Sequence, residues 1–92
     1  MKIKVKFYAT LKELFGAEVK EVELKDGSHI QDLLNLLCNS RQRSQGIFDQ
    51  SGNISCYIKI LKNGRYIEFL DGVHTELGEG DVVDMFPPMG GG

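Results

Sequence analysis

At 92 residues the chain has room for one domain and none for a second. Its 41% hydrophobic and 26% charged residues describe an ordinary globular protein, and a formal charge of −2 gives no electrostatic reason to expect nucleic acid or an anionic membrane as partner. The first residues alternate lysine with apolar side chains, unlike a secretory leader or a spanning helix, and the only cysteines, Cys38 and Cys56, are expected as small core residues of a reducing, cytoplasmic compartment.

In "KIKVKFY" the apolar Ile3, Val5 and Phe7 alternate with Lys2, Lys4 and Lys6, the two-residue period of a strand with one wet face. "TLKELFG" places Leu11, Leu14 and Phe15 at helical spacing before Gly16, which predicts a short helical turn. A second strand follows through Val22 and Leu24, closed by the turn residues "KDG". Ser28 and Gln31 stand in the S-x-x-Q relation of a capping box, so the main helix is expected to start there. Its stripe Ile30, Leu33, Leu34 and Leu37 falls at i, i+3, i+4 and i+7, suited to lie across a sheet. Residues 39–53 are mostly polar and are expected to form a long loop with Ile47 and Phe48 tucked under.

Two apolar runs around Asn63-Gly64 predict a hairpin, because both turn residues accept positive φ. "VVDMF" is then a last strand, halted by Pro87, which cannot donate to a ladder. The order β-β-α-β-β-β, with a right-handed crossover, lets the first and last strands lie side by side and parallel in mid-sheet. The expected fold class is therefore α+β, a β-grasp domain of about five strands with one main helix across the sheet. It spans residues 1–86, and residues 87–92 form a flexible Pro-Pro/glycine tail.

Familiar catalytic kits are missing. His29 and His74 have no cysteine, serine or carboxylate at a spacing that names a triad or a metal site, so neither cofactor nor metal is expected. His29 is read as an exposed first-turn residue, and Glu79 and Asp81 as solubilising charge on a turn. The end of the sequence, "FPPMGGG", is different. At about 7% usage, three successive glycines at one chosen place arise by chance in roughly 3 of 10,000 sequences. A glycine run has no side-chain chemistry, so its reactive group is the α-carboxylate of Gly92, a poor electrophile that another enzyme must activate. Lacking Cβ atoms, Gly90, Gly91 and Gly92 can thread a narrow tunnel, and Pro87 and Pro88 project them stiffly from the sheet.

"VKFYATLKELFG", the hairpin at Asn63, "LGEGDVV" and "FPPMGGG" together resemble the β-grasp sulfur-carrier and ubiquitin-like family, in particular molybdopterin synthase small subunits and small archaeal modifiers. The resemblance implies a carrier that is not itself an enzyme. An adenylating enzyme would use ATP to make the acyl-adenylate of Gly92. Sulfur transfer would then give a thiocarboxylate for the molybdopterin synthase large subunit, or a target-protein lysine would attack to give an isopeptide. By position, Gly91 and Gly92 are the segment that enters the active site, and Phe86 with Tyr8 forms the docking patch. Tyr66, Pro87, Pro88, Met89 and Gly90 complete the partner-binding set. The competing reading is a plain protein-interaction domain with an inert glycine tail.

Overall fold

The computed structural model of the protein describes residues 1–88. Strand β1, Lys2–Phe7, buries Ile3, Val5 and Phe7 and turns its lysines to the opposite face. Helix α1, Thr10–Phe15, ends on Gly16 at φ 73, the left-handed cap that glycine takes without a Cβ penalty. Strand β2, Val19–Glu23, returns antiparallel to β1 with Lys20 opposite Val5.

Helix α2, Ile30–Leu37, buries Ile30, Leu33, Leu34 and Leu37, the stripe that the spacing predicts. Its start differs from the expected one. Ser28 is held by a turn and a cross-connection: its N–H donates to the Lys25 carbonyl at 3.1 Å, and its carbonyl accepts from the Leu77 N–H at 2.9 Å. The helix therefore begins one residue later, with His29 as N-cap and the His29 N–H donating to Asp32 Oδ2 at 3.0 Å. His29 is half-buried, not the exposed first-turn residue expected. Asp32→Ala should accordingly cost about 1 kcal/mol in urea denaturation, and Ser28→Ala only a few tenths. The reverse order would return the cap to Ser28.

Residues 39–53 are not one loop. Helix α3, Arg41–Ile47, is capped by Ser40, whose Oγ accepts from the Arg43 N–H at 3.2 Å. Arg43 Nε donates to the Leu14 carbonyl at 3.2 Å, and its guanidinium lies 5.5 Å from the centre of the Phe15 ring, so the arginine ties α3 to the end of α1. Gly46 lets the two helices close up, since a Cβ there would stand 2.5 Å from Leu14 Cδ2. Ile47 is fully buried and Phe48 half-buried, as the sequence suggests.

Strands β3, Lys59–Lys62, and β4, Arg65–Tyr66, flank Asn63 and Gly64 at φ 49 and 84, the positive pair of a tight hairpin turn. The second arm is short and passes into a 3₁₀ turn at Ile67–Phe69. Strand β5 is Val82–Phe86. The sheet order is β2-β1-β5-β3-β4, with β1 and β5 parallel and the other neighbours antiparallel. Inward residues of β1, β3 and β5 share one core with α2, which is the β-grasp arrangement. Cys38 joins the edge of that core, and burial pushes its thiol up to about 11 despite the opposing charge of Arg43. Cys56 does not: it stands exposed in the turn before β3.

The entry to β5 is pinned to the hairpin. Asn63 Nδ2 donates to Asp81 Oδ1 at 3.0 Å, the Gly78 N–H donates to Asp81 Oδ2 at 2.7 Å, and the Val82 N–H donates to Asn63 Oδ1 at 2.9 Å. Glu79 Oε1 in turn accepts from the Lys2 N–H at 3.0 Å, so these turn carboxylates are structural ties and not idle charge. Partial burial alone would raise the pKa of Asp81. The hydrogen bonds from Asn63 and Gly78, with Lys62 at 3.7 Å, outweigh it and hold the carboxyl below its ordinary value. A carboxyl lowered in the folded state adds stability above its unfolded pKa, and that contribution disappears as pH falls through the folded value. Asp81→Asn should therefore lose about 1–2 kcal/mol at neutral pH. Its deficit against the parent should close in acid, and a deficit independent of pH would assign Asp81 no such role.

Candidate functional site

The helices cover one face of the sheet, and the other carries the outward side chains. On β5 these are Val82, Asp84 and Phe86, with Lys4 and Lys6 of β1 opposite Val82 and Asp84, and Leu61 and Lys59 of β3 opposite Asp84 and Phe86. Tyr66 continues the row beyond Leu61. Lysines thus dominate the β1 side, and apolar side chains gather toward the C-terminal end of β5.

Tyr8 follows the last residue of β1 and keeps the pairing going, its N–H donating to the Met85 carbonyl at 3.2 Å. Its ring stacks on Phe86 with centroids 4.2 Å apart and planes 11° from parallel. The Tyr8 hydroxyl donates to Asp84 Oδ1 at 2.9 Å. That bond, then partial burial and the carboxylate charge, raises the phenol above its ordinary pKa.

Beyond Phe86, Pro87 is buried and Pro88 exposed. Together they line an open, mainly apolar groove with Leu61, Tyr66, Phe86, Tyr57 and Cys56, and Lys59 is its one charged lining residue. The structure therefore places Phe86 and Tyr8 in contact and gathers Tyr66, Pro87 and Pro88 at the same end of the sheet. Met89, Gly90, Gly91 and Gly92 lie outside the described residues. Sequence reasoning misses Tyr57, 68% exposed, and Phe69, 83% exposed and 6.2 Å edge-on from Tyr66. It misses Leu61 too, although alternation with the buried Ile60 already points that leucine outward.

Nothing comparable exists at the histidines. The His29 and His74 rings meet edge-on at 5.9 Å, but among the described residues no group of three metal-ligating side chains assembles. No described helix is long and apolar enough to cross a membrane.

Replacing Phe86 with Glu should remove the stack at a cost of about 1 kcal/mol, because the ring is only half-buried. Affinity for any partner that covers the ring should fall far beyond that, as for a charge forced into the centre of an apolar interface. A loss of several kcal/mol in stability would make Phe86 a core residue instead.

The model of the ThiS family matches residues 5–92. Small archaeal modifier protein 3 of Haloferax volcanii is 33% identical over the full length of both chains. The molybdopterin synthase sulfur carrier subunit of Chlamydomonas reinhardtii is 29% identical, again over the whole of both. In the crystal structure of SAMP1 from Haloferax volcanii, 24% identical, the same fold superposes with a TM-score of 0.87 over all of both chains. A parallel β1–β5 pair under a crossing helix, matched in sequence from the first strand to the glycines, places this chain in the ThiS family, among sulfur-carrier and ubiquitin-like modifier proteins.

Proposed function

We propose that the α-carboxylate of Gly92 is the working group of this protein and that an ATP-dependent adenylating enzyme activates it. The carboxylate attacks the α-phosphorus of ATP and releases pyrophosphate, leaving Gly92 as an acyl-adenylate. A sulfur nucleophile then displaces AMP to give a thiocarboxylate, or a lysine amine of a target protein displaces it to give an isopeptide. The carrier takes no cofactor of its own and performs no catalysis; ATP belongs to its partner. Residues 1–86 form the body that docks, and residues 87–92 the segment that reaches into the active site. Its two free cysteines suit a reducing cytosol.

The observation that supports this reading most is the position of the apolar groove at the root of the glycine segment. Phe86 on Tyr8, with Leu61, Tyr66, Pro87 and Pro88, offers a partner an anchoring surface that ends, in the sequence, just before the residues it must draw in. Relatives named as a sulfur carrier subunit and as a protein modifier support both fates of the adenylate.

Intact mass of the protein isolated from its own cells is the test. Replacement of one oxygen by sulfur on the C-terminal peptide supports the thiocarboxylate, with delivery to a molybdopterin synthase large subunit as its use. Heavier species branched at lysines support the modifier. A chain found only with its unmodified carboxylate, under conditions that demand either product, would favour an interaction domain with inert glycines.

A further inference from the structure

We propose that Asp84 is a positioning residue for docking: through Tyr8 it holds the Phe86 ring in one orientation at the point where the chain leaves the sheet. The inference rests on the proposed activation of Gly92 and assigns a role in it to a residue that would not itself touch ATP.

Asp84 sits in the middle of the outward row of β5, between Lys6 and Leu61 in register. Among the described residues no lysine or arginine nitrogen lies within salt-bridge distance of it, and its Oδ1 is engaged by the Tyr8 hydroxyl at 2.9 Å. A carboxylate on a face that a partner covers is costly when its oxygens go unsatisfied, so this bond prepares the face for docking. It also fixes the Tyr8 ring, which lies flat on Phe86 at 4.2 Å.

The backbone of Tyr8 is fixed as well. Its N–H is bonded to Met85, its carbonyl accepts from the Leu11 N–H at 3.0 Å, and the next residue, Ala9, is held at φ 51, ψ −128. That conformation favours glycine, and a residue with a Cβ keeps it only where the surroundings impose it. Strand, strained turn and carboxylate thus converge on one ring. The Phe86 ring rests on that fixed ring at the last residue of β5, where Pro87 ends the ladder. The raised phenol pKa agrees with a proton held on Tyr8 by the Asp84 carboxylate.

The test is ATP–pyrophosphate exchange against carrier concentration with the cognate adenylating enzyme, alongside ring-carbon NMR titration of Tyr8 and a melting curve for each variant. Asp84→Leu and Tyr8→Phe should each raise the KM for the carrier about ten-fold, with kcat within about two-fold of the parent. Asp84→Asn, which keeps an acceptor oxygen, should recover most of that loss. In Asp84→Leu the Tyr8 phenol should titrate lower than in the parent. An unchanged KM in Asp84→Leu, once Tyr8 titration has fallen, overturns the inference and leaves Gly92 activation standing. So does an Asp84→Asn chain as poor as Asp84→Leu. A parent chain that supports no exchange removes both.

Discussion

Deletion of Gly92, or addition of one residue after it, should abolish ATP–pyrophosphate exchange with the cognate adenylating enzyme while leaving the unfolding midpoint of the protein unchanged. Adenylation is an attack by one carboxylate oxygen on one phosphorus, and in the proposed reading the body of the carrier is anchored at the groove around Phe86. Removing or adding one residue moves the terminal carboxylate by about 3.3–3.6 Å along an extended segment. A misplacement of about 1 Å already costs on the order of a hundred-fold in rate, so the loss should be at least that large. Gly91→Val should fail for a different reason, since a β-branched side chain would fill the space that glycine leaves for a narrow tunnel. Stability should not follow, because β5, the last strand among the described residues, ends at Phe86, five positions before the nearest of these changes. Truncated and extended chains activated as well as the parent would mean that Gly92 is not the reactive end.

Leu33→Ala should cost about 2–5 kcal/mol, a large share of the 5–15 kcal/mol that holds a typical domain together. Leu33 is fully buried in one cluster with Ile3, Val5, Val83 and Met85, so truncation leaves a cavity between α2 and the sheet as well as losing apolar transfer energy. Leu36 provides the internal control. It lies on the same helix and is 48% exposed, and Leu36→Ala should stay within about 0.5 kcal/mol of the parent. Urea denaturation of the two variants measures the difference. Equal costs would mean that the helix presents another face to the core.

How much of this was legible beforehand differs from element to element. β1 announces itself through a strict two-residue alternation, β5 through a short apolar run halted by Pro87, and the Asn63-Gly64 hairpin through residues that tolerate positive φ. α3 gives no such sign. Its seven residues bury only Ile47, so no apolar period exists, and what holds it is a long-range attachment of Arg43 to α1 together with the missing Cβ of Gly46. The length of β4 was hidden for a similar reason: alternation would point Phe69 inward, whereas the chain turns at Ile67–Phe69 and leaves Phe69 exposed. The helix cap moved from Ser28 to His29 because a tertiary bond from Leu77 occupies the serine carbonyl, and local spacing carries no record of that bond.

At the candidate site, Tyr8 and Phe86 are legible only through the family resemblance, by their positions in "VKFYATLKELFG" and "FPPMGGG". Asp84 is not legible even so, since its partner Tyr8 lies 76 positions away in the sequence and only the parallel β1–β5 pairing brings them together. The opposite held for the glycines. The chemistry proposed for them draws on residue type alone, because a segment without side chains has only its terminal carboxylate to offer.

The most direct measurement of that chemistry is trapping the activated group. The full-length chain is incubated with its adenylating enzyme, ATP and hydroxylamine, and the C-terminal peptide is then identified by mass. An acyl-adenylate on Gly92 reacts with hydroxylamine to leave a hydroxamate on that carbonyl and to release AMP. The account predicts a hydroxamate on Gly92 that requires both ATP and the enzyme. A peptide that keeps its free carboxylate while ATP is consumed, or a hydroxamate found on an aspartate or glutamate side chain instead, would contradict it.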